Sequence, residues 1–176
     1  LFMSPVLAVA LLLPVYLVTD VAAIWLYRRD YSGRNIAILV PAMLLGIAIA
    51  TVLVSVAPEA LLLAITGFVG LWAVWRRWFQ RDFETQHKAR ILPGFFWGTI
   101  SGITTFITHS GAPPAHAFLL PQNLPRLVFA GTMAIAFAIG NFAKLPSYIA
   151  LGFFDGVDWT LVAGLTAVGI VGTFAG

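Results

Sequence analysis

Six apolar stretches separated by short polar gaps dominate the chain. A helix that crosses a bilayer needs about 20 mostly apolar residues. The first stretch runs from about Val6 to Tyr27 and carries one charge, Asp20. The second, about Ile36 to Ala57, carries none and ends at a short turn at Pro58 and Glu59. The third spans about Ala60 to Trp75 and leaves through Trp72, Trp75 and Trp78 beside Arg76 and Arg77. Indole and guanidinium together are what a lipid headgroup boundary selects. The fourth, Ile91 to Pro121, is too long and too often broken by Gly and Pro for one simple helix. The fifth, about Leu127 to Leu151, holds Lys144 as its one charge, and the last begins near Asp158. The pattern predicts an all-α, polytopic membrane protein.

Composition agrees. Of 176 residues, 60% are hydrophobic and 10% charged, against about 25% charged in a soluble domain. Lipid must therefore be the solvent for much of the exterior. The formal charge of +3 comes from residues in the gaps and forms no continuous stripe, which argues against nucleic acid as a partner. The absence of cysteine excludes a disulfide or a thiolate metal site, and no His/Asp/Glu spacing resembles a metal site. No cofactor is expected. The chain opens and closes inside apolar segments, so native sequence is expected beyond both ends. No signal peptide is assigned, since a basic leader and a small-residue cleavage site are lacking.

Charge in the gaps sets orientation. Arg28, Arg29 and Arg34 outnumber Asp30 in the first gap, and Arg76, Arg77, Arg81, Lys88 and Arg90 outnumber Asp82 and Glu84 after the third span. Two spans separate these basic gaps, which places both on the cytoplasmic side. The gap with Asp155 and Asp158 has no cation and fits the outer side. Asp20 precedes Tyr27 by seven residues, and Asn141 precedes Tyr148 by the same interval. A polar gap and a glycine-bearing apolar helix follow each tyrosine, around Gly46 in one case and Gly164, Gly169 and Gly172 in the other. The opposite charge of the two gaps points to inverted repeats, 1–90 and 91–176, of the kind that secondary transporters use. Inversion requires Ile91–Pro121 to enter the membrane and return, a broken or re-entrant element that leaves Arg126 cytoplasmic.

The chemistry concentrates in that broken stretch. Interrupted backbone is tolerated at membrane depth only inside protein or beside a wet cavity. Pro113 and Pro114 suit the first turn of a helix. Free N–H groups there, with the Thr108 and Ser110 hydroxyls next to Gly111, form a candidate anion site. Alternatively, the glycines and hydroxyls serve close helix packing. His109 fits three roles: hydrogen-bonding an anion, carrying a coupling proton, or standing as a neutral histidine on a backbone carbonyl. His116 is a weaker candidate, and His87 reads as solvated. Asp20 and Lys144 are the charges well inside their segments, where exposure to lipid costs at least ~2.5 kcal/mol. Asn141, Lys144 and Tyr148 share one helical face. Lys144 attracts an anion, pairs with Asp20, or snorkels toward the boundary; Pro146 beside it predicts a kink and a freed carbonyl.

These residues resemble the TauE/SafE sulfite-exporter-like permeases. The likeness rests on Pro93-Gly94-Phe95-Phe96-Trp97-Gly98, Ser101-Gly102, the His109-Ser110-Gly111-Ala112-Pro113-Pro114 loop, Gly131-Thr132, Asn141, Lys144, Tyr148 and Gly152. Leu12-Leu13-Pro14, Asp20 and the Tyr27-Arg28-Arg29 exit look like the family's earlier repeat. Many members carry a glycine-rich stretch where this chain has His109-Ser110-Gly111-Ala112. The resemblance implies a multi-pass permease of the bacterial inner membrane that exports small sulfur anions such as sulfite or organosulfonates, with coupling to a proton or ion and homo-oligomerisation as open points. The expected substrate site is drawn from Asp20, Thr108, His109, Ser110, Gly111, Pro113, Thr132, Asn141 and Lys144, and no enzymatic role is expected. Competing readings are a permease for another organic anion, a membrane-embedded enzyme with His109 as base, and a scaffolding subunit.

Overall fold

The computed structural model describes residues 5–79 and 88–175, and these are helical apart from short connections. Arg81, Asp82, Glu84 and His87 lie outside the described residues. The helices are α1 (Pro5–Tyr27), α2 (Gly33–Val56), α3 (Glu59–Phe79), α4 (Ile91–Thr108), α5 (Ala112–Leu119), α6 (Arg126–Ala150) and α7 (Trp159–Ala175), with a 3-10 turn at Leu120–Gln122 after α5. Four are long and apolar enough to cross a membrane: Val6–Tyr27, Gly33–Val56, Ile91–Thr108 and Arg126–Ala150. The fourth apolar stretch divides at His109–Gly111, as its Gly and Pro content predicts. Large apolar side chains such as Val56, Phe68, Leu71, Trp78 and Val168 face outward, as expected of a surface solvated by lipid.

Local chemistry sets the ends. Ser32 caps α2, its hydroxyl accepting from the Asn35 amide at 3.4 Å. Asp158 caps α7 by accepting from the Thr160 and Leu161 amides at 2.9 and 3.2 Å. Both satisfy donors that a helix start leaves without partners. Pro113 and Pro114 fall in the first turn of α5, where a missing N–H costs nothing.

Small residues bring α2 and α4 together. Gly94 lies against Ile38, Gly98 against Ala42 and Leu39, and Gly102 against the Met43 backbone. Contacts that advance in step along both helices mean that the two run in the same direction. Four-residue spacing of glycine allows backbones to approach in lipid, where dispersion rather than the hydrophobic effect joins helices. The packing role expected as an alternative for these glycines is thus met at Gly94, Gly98 and Gly102. α5 then turns back along α4: Gly111 lies beside Ser101 and Thr105, whereas Phe118, two turns later, reaches Gly94. Gln122 ends the hairpin next to Asn35, near the start of α2, and exchanges two amide hydrogen bonds with it at 3.0 and 3.1 Å.

α6 crosses α1 in the opposite sense. Gly131 sits against Tyr27 and the Asp30 carbonyl, Asn141 meets Asp20, and Tyr148 packs with Val9 and Leu13. α7 and the turn before it cover α1, with Val157 and Val162 against Ala10, Leu11 and Val15 and Gly169 against Thr19. Gly164 and Gly172 meet nothing within 4 Å. Of the three glycines of α7, only Gly169 therefore lines an internal contact among the described residues.

Candidate functional site

The break between α4 and α5 is held in one shape by its own polar groups. Ser101 donates its hydroxyl to the Gly111 carbonyl at 2.7 Å, and a side chain at Gly111 would meet Phe137, Thr105 and the Ser101 carbonyl at 2.7–2.8 Å. His109 closes α4 in the left-handed region at φ 57°, a conformation that costs a non-glycine residue about 1–3 kcal/mol unless its surroundings fix it. The surroundings do so. Its Nε2 lies 2.9 Å from the Val9 carbonyl of α1, its Nδ1 lies 3.1 Å from Lys144 Nζ, and Tyr16 packs edge-on at 4.9 Å.

The carbonyl can only accept and the ammonium can only donate, so Nε2 carries the proton and Nδ1 presents a lone pair. The histidine is a neutral bridge from α1 to α6. A carbonyl oxygen has two lone pairs, so Val9, inside α1, accepts from the imidazole with the one that helix bonding leaves over.

Lys144 is fully buried. Its ammonium donates to the Thr105 carbonyl at 2.9 Å, to the Thr105 hydroxyl at 3.0 Å and to His109 at 3.1 Å. All three N–H groups are met, and every acceptor is neutral. The snorkelling expected as an alternative does not occur, because the side chain turns inward onto α4. Pairing with Asp20 is replaced by a different contact: the Asp20 carboxylate accepts from Asn141 Nδ2 at 2.8 Å, three residues before Lys144 on α6. Asn141, Lys144 and Tyr148 are all buried on one face, as their spacing predicts. Tyr148 donates its hydroxyl to the Phe106 carbonyl at 2.5 Å and stacks edge-on with the Phe106 ring at 5.1 Å. The elements of the site are therefore a buried cation, a neutral imidazole, a threonine and the break between α4 and α5.

The remaining candidates divide. Thr108 and Ser110 flank His109, but their hydroxyls turn to the Thr104 and Thr108 carbonyls at 3.3 Å. Gly111 and Pro113 shape the loop and the start of α5. Thr132 lies twelve residues before Lys144 on α6, about 18 Å along the axis, where its hydroxyl accepts from the Ser32 amide at 2.9 Å. It joins α6 to the turn before α2 and is remote from the lysine. His116 packs against Phe129 at 5.5 Å. No group of three or more His, Cys, Asp or Glu able to hold a metal occurs among the described residues.

Sequence reasoning missed Thr105, although it precedes His109 by one helical turn and so shares its face. It also missed the Val9 carbonyl, which no side-chain type announces. A cavity of about 360 Å³ opens at the other end of the hairpin, lined by Ser32, Arg34, Asn35, Lys88, Ala89, Gln122 and Leu124. It does not reach Lys144.

The family model for the sulfite exporter TauE/SafE matches residues 1–176. No curated protein and no solved structure matches the chain.

Proposed function

Since the chain belongs to the sulfite exporter TauE/SafE family of multi-pass membrane permeases, we propose that it is a secondary transporter of the bacterial inner membrane that exports small sulfur oxyanions, sulfite or organosulfonates. The observation that carries this reading is the Lys144 ammonium, fully buried and hydrogen-bonded to neutral acceptors alone. A buried cation without a bonded counter-charge favours an incoming anion. The oxygens of sulfite or a sulfonate take the places of the two Thr105 acceptors on the ammonium. His109 stays on Val9 and keeps a lone pair toward the lysine, and so acts as a positioning residue.

In this proposal α4 and α5 form a re-entrant hairpin, and α1–α2 and α6–α7 are inverted copies. Position 20 pairs with position 141, the same 121-residue offset that relates Tyr27 to Tyr148. α2 packs on α6 through Ile47 and Gly140, and α7 packs on α1 through Gly169 and Thr19. Residues equivalent under an inverting two-fold meet one another near its axis, which supports the repeat. Rocking of the hairpin against α1 and α6 then exposes Lys144 to either side in turn.

The test is flux of a labelled alkylsulfonate in vesicles containing the full-length protein. Lys144→Ala lowers flux far more than it lowers the amount of folded protein, and Lys144→Arg retains part of it. Flux equal to wild type in Lys144→Ala removes the lysine from the site.

A further inference from the structure

We infer that the cavity at the end of the α4–α5 hairpin is a second oxyanion site, a cytoplasmic loading station that takes sulfite- or sulfonate-class anions before they reach Lys144. This inference rests on the transport reading above and names the mouth through which that transport begins.

The cavity holds about 360 Å³, room for a sulfite or a small organosulfonate with its first waters. Arg34 comes from the first turn of α2 and Lys88 from the segment entering α4, so two separate elements supply cations to one concavity. Among the described residues that line it there is no carboxylate. The cations are exposed, whereas the amides below them are not: Asn35 is 1% and Gln122 4% exposed. Those two amides exchange hydrogen bonds at 3.0 and 3.1 Å, and Asn35 also donates to Ser32 Oγ at 3.0 Å. The floor is therefore polar, rigid and closed, and the walls are cationic and open to water. A concave basic surface focuses field lines and concentrates anions.

Its position makes it a loading site. Above the floor lies an apolar plug of Ile38, Leu39, Phe118 and Leu119, and beyond that the Thr105 and Lys144 cluster. The floor pair joins α2 to the last turn of the hairpin. Movement of the hairpin that opens a path to Lys144 must part Asn35 from Gln122 and shift that plug. An anion held between Arg34 and Lys88 is then already at the entrance.

The chain contains no cysteine, so Leu124→Cys, on the cavity wall, gives this chain a single thiol. In vesicles of neutral phosphatidylcholine, the rate of modification of that thiol by an anionic methanethiosulfonate is measured against methanesulfonate on the cytoplasmic face. Methanesulfonate is expected to slow modification. Added Arg34→Gln and Lys88→Gln should weaken its apparent affinity by roughly tenfold. With Lys144→Ala added instead, protection persists, because the mouth binds independently of the central site. Rates indifferent to methanesulfonate, or protection that survives loss of both cations, overturn the inference. So does protection that vanishes with Lys144, and so does protection given by added phosphatidylglycerol but not by the soluble anion, which makes the cavity a lipid site. The transport reading fails separately, through undiminished flux in Lys144→Ala with the cysteine protection intact.

Discussion

Replacing Gly102 with alanine tests the link between helix packing and the site. A Cβ at Gly102 meets the Met43 carbonyl oxygen, and the Met43 Cα and carbonyl carbon at 2.9 Å. These are backbone atoms of α2, so no side chain is free to move aside, and the two helices must separate. Overpacking of this kind costs about 1–3 kcal/mol, partly offset by the gain of up to ~1 kcal/mol when alanine replaces glycine in a helix. Gly164, in α7, meets nothing within 4 Å, so Gly164→Ala collects the helical gain without the clash. The two variants should differ by about 2 kcal/mol, roughly a 30-fold difference in the unfolding equilibrium. Reversible unfolding in mixed micelles of detergent and denaturant reads that difference. α4 also carries Thr105 and His109, so Gly102→Ala should impair anion binding by displacing the lysine's acceptors. Equal stability of the two variants would refute the packing argument. Normal anion binding in a clearly destabilised Gly102→Ala would refute the link from packing to the site.

Two further predictions concern the polar bridges. Glutamine can donate to the Val9 carbonyl and accept from Lys144, so His109→Gln should keep most of the flux and an unaltered pH profile, whereas His109→Leu should lose both bridges and most of the flux. A flattened pH profile in His109→Gln would instead make the histidine the proton carrier. Asn35→Leu or Gln122→Leu removes both amide bonds between the two buried residues, which should cost about 1–3 kcal/mol in either single variant. The double variant should cost less than the two singles together, as a double-mutant cycle on the same micellar unfolding would show.

Much of the architecture was written in hydropathy and punctuation. The apolar runs locate α1, α2, α3, α6 and α7 to within a few residues, and Ser110-Gly111-Ala112-Pro113-Pro114 marks the interruption because proline cannot continue a helix there. Lys144 was conspicuous because a cation in an apolar run demands an explanation. What it bonds to was hidden, since a carbonyl such as that of Val9 has no signature in side-chain type. The Asn35–Gln122 pair was hidden for a different reason: its members lie 87 positions apart, and nothing periodic joins them. Asp20 and Asn141 were matched by their common distance to a tyrosine. Their direct contact depends on how α6 crosses α1, which that spacing does not encode. Thr132 entered through family resemblance, but position along α6 sets it beside Ser32 and away from the lysine.

The most direct measurement is the dissociation constant of a labelled alkylsulfonate for the wild type and Lys144→Met, with unfolding stability recorded on the same samples. Charge attraction at about 4 Å in a partly polar site amounts to about 4 kcal/mol, so binding should weaken by two to three orders of magnitude, roughly. Stability is recorded because Lys144→Met removes a buried charge but also takes the donor from the Thr105 and His109 acceptors, a loss of about 1–3 kcal/mol. Unchanged affinity in Lys144→Met, with or without a loss of stability, would contradict the account.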